Sequence, residues 1–266
     1  MPLIETQSEE ALSLEGLHLY FAPQSACASR VRLLLAEKGL SWTGHHIDLL
    51  KRENVDPAYF AINPRGLVPT LVDDGQVVIE SGDILLYLEQ KFPEPSFTPT
   101  DPADRAAMED WVRRSHTQHV AAVKTYAYIK VNARLAAKTP EEVDLYYKLQ
   151  KDQEMIDFHS RHDKPDNPFT EEDERKAVET IEGILAEMKA KIEATGWLAG
   201  PAYSLADMAW ATSWRTWQLA KYPLENHPVV GEWFACIEAR PAWQEIAKLW
   251  ANPPTERLLE FPARAA

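Results

Sequence analysis

The chain has 266 residues, a mass of 30.2 kDa and a formal net charge of −13. This length allows one large or two smaller domains, and the acidity without a basic tract argues against nucleic acid or anionic membranes as partners. The two cysteines, Cys27 and Cys236, exclude a disulfide framework. Since the sequence has neither a leader pattern nor an apolar run of membrane-spanning length, we expect a cytoplasmic protein.

The chain begins with an acidic stretch, residues 1–16, for which we predict a flexible extension. The run Leu17–Phe21 then predicts a strand. Residues 29–38 predict a helix, because apolar side chains recur on one face and Gly39 follows as its stop.

A hairpin is predicted after residue 67. An apolar run ending at Val72 is followed by a turn with Asp74-Gly75 and by Val77–Ile79, which is a strong short-range hairpin signal. Pro69 interrupts the start of the first strand. Because proline cannot donate to a ladder, it marks an edge, a bulge or a cis peptide, where backbone is presented to a ligand.

Glu80 and Ser81 stand between this hairpin and a helix predicted over residues 82–91. Amide groups and a hydroxyl converge at such a helix start on anything that carries a carboxylate, so the geometry suits a peptide ligand. The predicted elements up to this point follow a βαβαββα order, which is the thioredoxin arrangement.

The second half of the chain is predicted to be helical throughout. A proline-rich linker over residues 93–102 separates it from the first half. Ser204 and Asp207 form a predicted capping box, so we assign Asp207 to folding and not to catalysis. The predicted fold class is therefore α/β plus all-α, with a thioredoxin-like domain over 17–92 and an all-helical domain over 103–266.

The segments Leu67-Val68-Pro69 and Glu80-Ser81 resemble the glutathione transferase family. The resemblance covers about residues 17–92 and resumes more weakly at 196–207 and 239–243, whereas 139–173 carries no motif of the family. It implies that Leu67, Val68 and cis-Pro69 pair with the cysteinyl backbone of glutathione, and that Glu80 and Ser81 hold its γ-glutamyl end. By the same resemblance, Asn54 lies near the glycine end.

The group that activates glutathione is expected where the first strand meets the first helix. The Ser25-x-Cys27 pattern with Arg-Val-Arg after it resembles the serine-type theta, delta and zeta classes, which implies that Ser25 stabilises the thiolate. Lowering a thiol pKa by about two units requires about 2.7 kcal/mol, and one donated hydroxyl supplies about 1.5 to 3 kcal/mol. Cys27, which matches the cysteine of beta- and omega-like classes, and Tyr20 are the alternatives.

The second substrate is less well marked. Aromatic residues on helices could form an electrophile pocket, with a hydrophobic core or a dimer interface as the alternative. The candidates are Trp111, Tyr126, Trp210 and Trp214.

The resemblance implies a glutathione S-transferase that attacks a hydrophobic or aromatic electrophile, without metal or nucleotide, as a cytoplasmic homodimer. A role in detoxification or in aromatic compound catabolism would follow. Two alternative reactions that also use glutathione are β-aryl ether cleavage and reductive dehalogenation. Two alternatives from other classes remain open: a thiol-disulfide oxidoreductase centred on Cys27, and a non-catalytic binding protein that keeps the fold.

Overall fold

A computed structural model describes residues 3–131, 139–163 and 168–263 of the chain. In these residues the sheet has six strands in the order β1-β5-β4-β2-β3-β6. The strands are β1 Leu3–Ile4, β2 Leu17–Phe21, β3 Trp42–His46, β4 Thr70–Asp73, β5 Gln76–Ile79 and β6 Leu258–Phe261.

The predicted βαβαββα order is present from β2 onward. Strand β2 pairs in parallel with β3, with Leu19 opposite Gly44, and antiparallel with β4, with Leu19 opposite Leu71. The hairpin between β4 and β5 turns at Asp74-Gly75, and both residues have positive φ. The helices of this half are α2 Ala26–Glu37, α3 Pro57–Ile62 and α4 Ser81–Lys91. Helix α2 therefore begins three residues before the predicted start.

The amino-terminal segment is more ordered than the sequence predicted. Leu3 pairs with Val78 at the sheet edge, and the short helix α1 Glu9–Leu12 buries Ala11 completely. The prediction of a flexible extension is therefore wrong for residues 3–16. The physical reason is that apolar residues among the glutamates, such as Ile4, cover the sheet face that α2 leaves open.

The second half is helical, and its longest helix is α9. Within the described ranges, no helix is both long and apolar enough to cross a membrane. Besides a π-helical turn at Val120–Lys124, the helices are α5 Pro102–Thr117, α6 Thr125–Lys130, α7 Pro140–Leu149, α8 Gln153–Asp163, α9 Glu171–Thr195, α10 Leu205–Leu219, α11 Pro228–Glu238 and α12 Pro241–Ala251.

Helix α10 lies at the centre of the molecule and packs against both α2 and α5. It begins at the predicted capping box, in which Ser204 accepts from backbone N–H groups and Asp207 accepts from the Ser204 N–H. The indole of Trp210 donates to the carbonyl of Trp111 at 2.9 Å. The fold class predicted from the sequence is confirmed, and α10 fixes the helices that surround the start of α2.

The carboxyl-terminal segment returns to the sheet. Strand β6 pairs antiparallel with β3, and the rings of Trp42 and Phe261 stack with centroids 3.9 Å apart. Helix α12 packs on α2, where Arg32 donates to the carbonyl of Ile246 at 2.8 Å. This return covers an otherwise open sheet edge and places α12 beside the first turn of α2.

Candidate functional site

Ser25 is the amino-terminal cap of α2. Its Oγ accepts from the N–H of Ala28 at 3.2 Å, and its side chain is half-buried. The first turn of α2 has no acidic residue. In the described part of the chain, no acceptor takes the hydrogen of the Ser25 hydroxyl. A hydroxyl fixed by the helix start can therefore donate to an anionic ligand atom.

Cys27 lies in the same turn and has an unusual environment. Although burial raises it, the pKa of the Cys27 thiol is lowered to about 6, because the positive charges of His119 and Arg30 outweigh the burial, together with hydrogen bonds from His119 and Ser81. A thiol in such surroundings is largely ionised at neutral pH. The structure thus brings both candidates from the sequence, Ser25 and Cys27, to one helix start.

Arg30 supplies part of this positive charge. It is fully buried, and its Nη1 donates to the Ser115 Oγ at 2.7 Å and to the Ser81 Oγ at 3.2 Å. Its Nε and Nη2 have no hydrogen-bond partner within the described residues. No sequence pattern gave a signal for this role of Arg30. Because no carboxylate of the described residues pairs with it, the buried guanidinium favours anions between α2 and α4.

The loop before β4 approaches the same region. The Val68–Pro69 peptide is cis, one of the three states expected from the sequence. The β4–β5 ladder begins at Thr70, opposite Ile79, so the backbone of Val68 extends beyond the paired strand. Leu67 anchors this loop, since its carbonyl accepts from the Tyr59 hydroxyl at 2.6 Å.

Glu80 and Ser81 form the start of α4. Glu80 has a φ of +66°, which is uncommon for a residue with a side chain, and its carboxylate is paired with Arg65. A Cβ added to Gly82 would overlap the Nδ1 of His116, so α4 and α5 approach each other closely here. Ser81 lies at this junction, where it contacts Cys27 and Arg30.

Asn54 serves its own loop in this structure. Its Nδ2 donates to the carbonyl of Gly66 at 2.9 Å, and Gly66 has a φ of +60° at a position where an added Cβ would overlap the ring of Phe60. The amide of Asn54 therefore closes the loop that leads to Leu67 and Val68. Its carbonyl oxygen and the second hydrogen of its Nδ2 are not used by this bond.

The segment without a recognisable motif packs beside this loop. Gln150, after α7, donates to the carbonyl of Arg65 at 2.8 Å, and the Arg65 side chain pairs with Asp152. Arg52 pairs with Glu142 on α7. Helix α7 and the residues that follow it therefore pack against the loop before β4. In the sequence, the residues that make these contacts resemble ordinary surface charges, so no pattern predicted the contacts.

Tyr20 points away from the start of α2. It belongs to the core on the opposite sheet face, stacks on His45 at 4.2 Å, and has a pKa raised to about 12 by burial and by the charge of Glu10. Alternation along β2 explains this, since Leu19 and Phe21 face α2. Tyr20 is therefore remote from the thiol chemistry.

The aromatic residues predicted to form an electrophile pocket lie in the core. Each is at most 6% exposed, because α10 packs against α5, the π-helical turn and α6. The four residues are Trp111, Tyr126, Trp210 and Trp214.

Among the described residues, no three His, Cys, Asp or Glu side chains are grouped to hold a metal ion.

Comparisons with known proteins agree with this geometry. A family model for the "Glutathione S-transferase, N-terminal domain" matches residues 19–96. The crystal structure of Beta-etherase LigF from Sphingobium sp. strain SYK-6 is 30% identical with a TM-score of 0.76, and covers 87% of this chain and 98% of that one.

Two curated proteins of Arabidopsis thaliana are also similar. Glutathione S-transferase TCHQD is 24% identical over 254 residues, which are 89% of this chain and 91% of that protein. Glutathione S-transferase Z1 is 45% identical over 92 residues, which are 35% of this chain and 42% of that protein. Similarity to the first protein thus extends over most of the chain, whereas the second has a higher identity over a shorter stretch.

Proposed function

This chain belongs to the glutathione S-transferase family, so it is a glutathione transferase, and we propose that it activates bound glutathione at the start of α2. Ser25 donates its hydroxyl hydrogen to the glutathione sulfur. Arg30 and the helix start add positive potential. The observation that carries this assignment is the Ser25 hydroxyl itself, which is fixed as a cap and keeps its hydrogen for a ligand.

The rest of glutathione is placed by the neighbouring loops. The Val68 backbone beyond the β4 ladder pairs with the cysteinyl unit, and Glu80 and Ser81 bind the γ-glutamyl end. Asn54 supports the glycine end through the loop it closes. These contacts bring the sulfur to the Ser25 hydroxyl and convert an encounter in solution into an oriented reaction.

The chemical step is a nucleophilic substitution. The thiolate sulfur forms a bond to an electrophilic carbon of a hydrophobic or aromatic small molecule, and the leaving group departs with the electron pair of the broken bond. A hydroxyl that stabilises the thiolate contributes about 1.5 to 3 kcal/mol. The same hydroxyl raises the fraction of reactive sulfur at neutral pH.

The test is turnover of 1-chloro-2,4-dinitrobenzene with glutathione. Ser25→Ala should lower kcat/KM by about 10- to 100-fold, since 1.36 kcal/mol corresponds to tenfold. Thr170→Ala, which removes a cap from α9 far from α2, should leave kcat/KM unchanged. Tight glutathione binding without turnover of any electrophile by the wild type would refute the proposal.

A second candidate reaction is cleavage of β-aryl ethers. The similarity to Beta-etherase LigF over nearly all of that protein supports it. The thiolate would attack the carbon of the ether C–O bond, and a phenolate would leave. Incubation with glutathione and a β-aryl ether should release one phenol for each thioether formed; failure to release phenol would eliminate this reaction.

Thiol exchange at Cys27 is supported by the lowered pKa of its thiol. Loss of transferase activity in Cys27→Ser, with Ser25→Ala unaffected, would favour this chemistry over the serine mechanism. We also propose that the protein is a cytoplasmic homodimer, as is usual in the family. Sedimentation at the monomer mass would contradict the dimer.

A further inference from the structure

Arginine side chains stack on aromatic rings at several places in this protein. Arg240 lies 4.0 Å from the ring centroid of Tyr203 and donates to both carboxylate oxygens of Glu37. Arg114 is arranged in the same way, stacked on a tryptophan and paired with Glu187 at 2.6 Å. The ring orients the guanidinium plane, and a carboxylate occupies its N–H edge.

Arg215 has the ring without the carboxylate. Its guanidinium carbon lies 3.9 Å from the ring centroid of Trp250, the shortest such distance among the described stacks. It makes no ion pair within 4.0 Å and no hydrogen bond in the part of the chain that the structure describes. Glu238 acts on its charge only through space. A half-buried, oriented guanidinium thus lacks the anion that its counterparts have.

The position of Arg215 links it to the proposed chemistry. It lines a notch into which the residues on either side of Ser25 also project. Trp250, the ring beneath Arg215, donates to the Ser29 Oγ at 3.1 Å and so is fixed to the first turn of α2. Gln24 and Ala26 line the notch beside Arg215, together with Thr212, Thr216 and Leu219.

The notch combines this cation with apolar surface. Leu219 is exposed, and the Trp250 ring is half-buried. An aromatic ring can lie on such surface while a carboxylate on the same molecule meets the N–H edge of Arg215.

We propose that Arg215 is a specificity-determining residue that binds a carboxylate carried by the aromatic second substrate. The inference rests on the proposed transferase function, since it names the substrate class of that site. Arg215 holds the acceptor beside Ser25, where the glutathione sulfur is activated. An aromatic acid is therefore preferred to a neutral acceptor of equal reactivity.

The test compares two acceptors that react by the same chlorine displacement. In both, the thiolate sulfur bonds to the ring carbon and chloride leaves with the electron pair. One is 4-chloro-3-nitrobenzoate, which carries the carboxylate, and the other is 1-chloro-2,4-dinitrobenzene, which is neutral. The measured quantity is the ratio of their KM values in each variant.

Arg215→Met should raise the KM of the benzoate relative to the neutral acceptor by at least about tenfold, because a charge-assisted hydrogen bond is lost. Arg215→Lys, which keeps the charge without the planar edge, should give an intermediate ratio. Arg240→Met is the matched control and should leave the ratio at its wild-type value. An unchanged ratio in Arg215→Met, or an equal change in Arg240→Met, would overturn the proposal.

Calorimetric titration with unreactive 3-nitrobenzoate separates this inference from the transferase function. The wild type should bind this acid at least about tenfold more tightly than Arg215→Met does, whether or not any acceptor turns over. Equal affinities would overturn the inference while leaving the transferase proposal intact. A larger effect of Arg215→Met on the KM of glutathione than on that of the benzoate would also overturn it.

Discussion

Ser25 and Ser204 each cap a helix of this protein, and the two caps are used differently. Ser25 caps α2 with one accepted hydrogen bond, in a first turn without acidic residues. Ser204 caps α10 within a buried capping box, where its hydroxyl is bound to the Asp207 carboxylate at 3.1 Å. One hydroxyl keeps its hydrogen for a ligand, and the other gives it to the fold.

A serine cap can therefore serve either folding or chemistry. A capping box pairs the cap and the N3 side chain with backbone N–H groups of the protein, so it stabilises the helix and leaves neither side chain for a ligand. A cap without the acidic partner leaves a donor at a helix start that already favours anions. Substitutions at and around the two caps should therefore separate stability from activity.

The largest expected effect is on the structural cap. Asp207→Ala should lower the free energy of unfolding by about 3 to 5 kcal/mol. The reason is that the buried N–H groups of Leu198, Ser204 and the Trp233 indole lose their acceptor. Denaturant titration measures this loss. The kcat/KM of the folded fraction should stay at the wild-type value, and a selective loss of activity at full stability would break the comparison.

A smaller effect is expected at Arg30, whose positive charge lowers the pKa of the Cys27 thiol. In a Cys236→Ser background, alkylation of Cys27 by iodoacetamide should be half-maximal near pH 6, since only the thiolate reacts. Arg30→Met removes a cation and should move this midpoint to higher pH by about one unit, or about 1.4 kcal/mol.

The matched control for this titration is Arg32→Met. Arg32 is equally buried on α2, but its donors go to the carbonyls of Pro23 and Ile246. Its replacement should leave the midpoint in place. Equal shifts in both variants would mean that helix disruption, and not the charge of Arg30, sets the reactivity of Cys27.

The smallest effect concerns the segment that carries no motif. A double-mutant cycle of Arg52→Ala and Glu142→Ala should give a small favourable coupling in thermal unfolding, because the pair is partly exposed. Zero coupling would mean that α7 does not depend on this pair for its position. The pair of Lys189 and Glu193 within α9 serves as an exposed control.

Parts of the fold in both halves could be predicted because their signals are local. The Asp74-Gly75 turn, Pro69 and the Ser204 box each lie within a few residues of the structure that they specify. The family, the fold class and the transferase function follow from such signals, and they are confirmed. The functional assignment of Ser25 itself remains a prediction.

Other features depend on contacts between distant residues, which a sequence pattern does not reveal. His119 lies far from Cys27 in the sequence and meets it only in the folded protein, and β6 reaches β3 from the far end of the chain. The tryptophans of α10 carry the same periodicity whether they line a pocket or fill the core. Packing on both sides placed them in the core.

The measurement that tests the central claim most directly is the ultraviolet absorbance of bound glutathione thiolate as a function of pH. Wild type and Cys27→Ala should ionise bound glutathione about two pH units below free glutathione, and Ser25→Ala should not. Retention of the low midpoint in Ser25→Ala, with its loss only in Cys27→Ala, would contradict the account and assign the chemistry to Cys27.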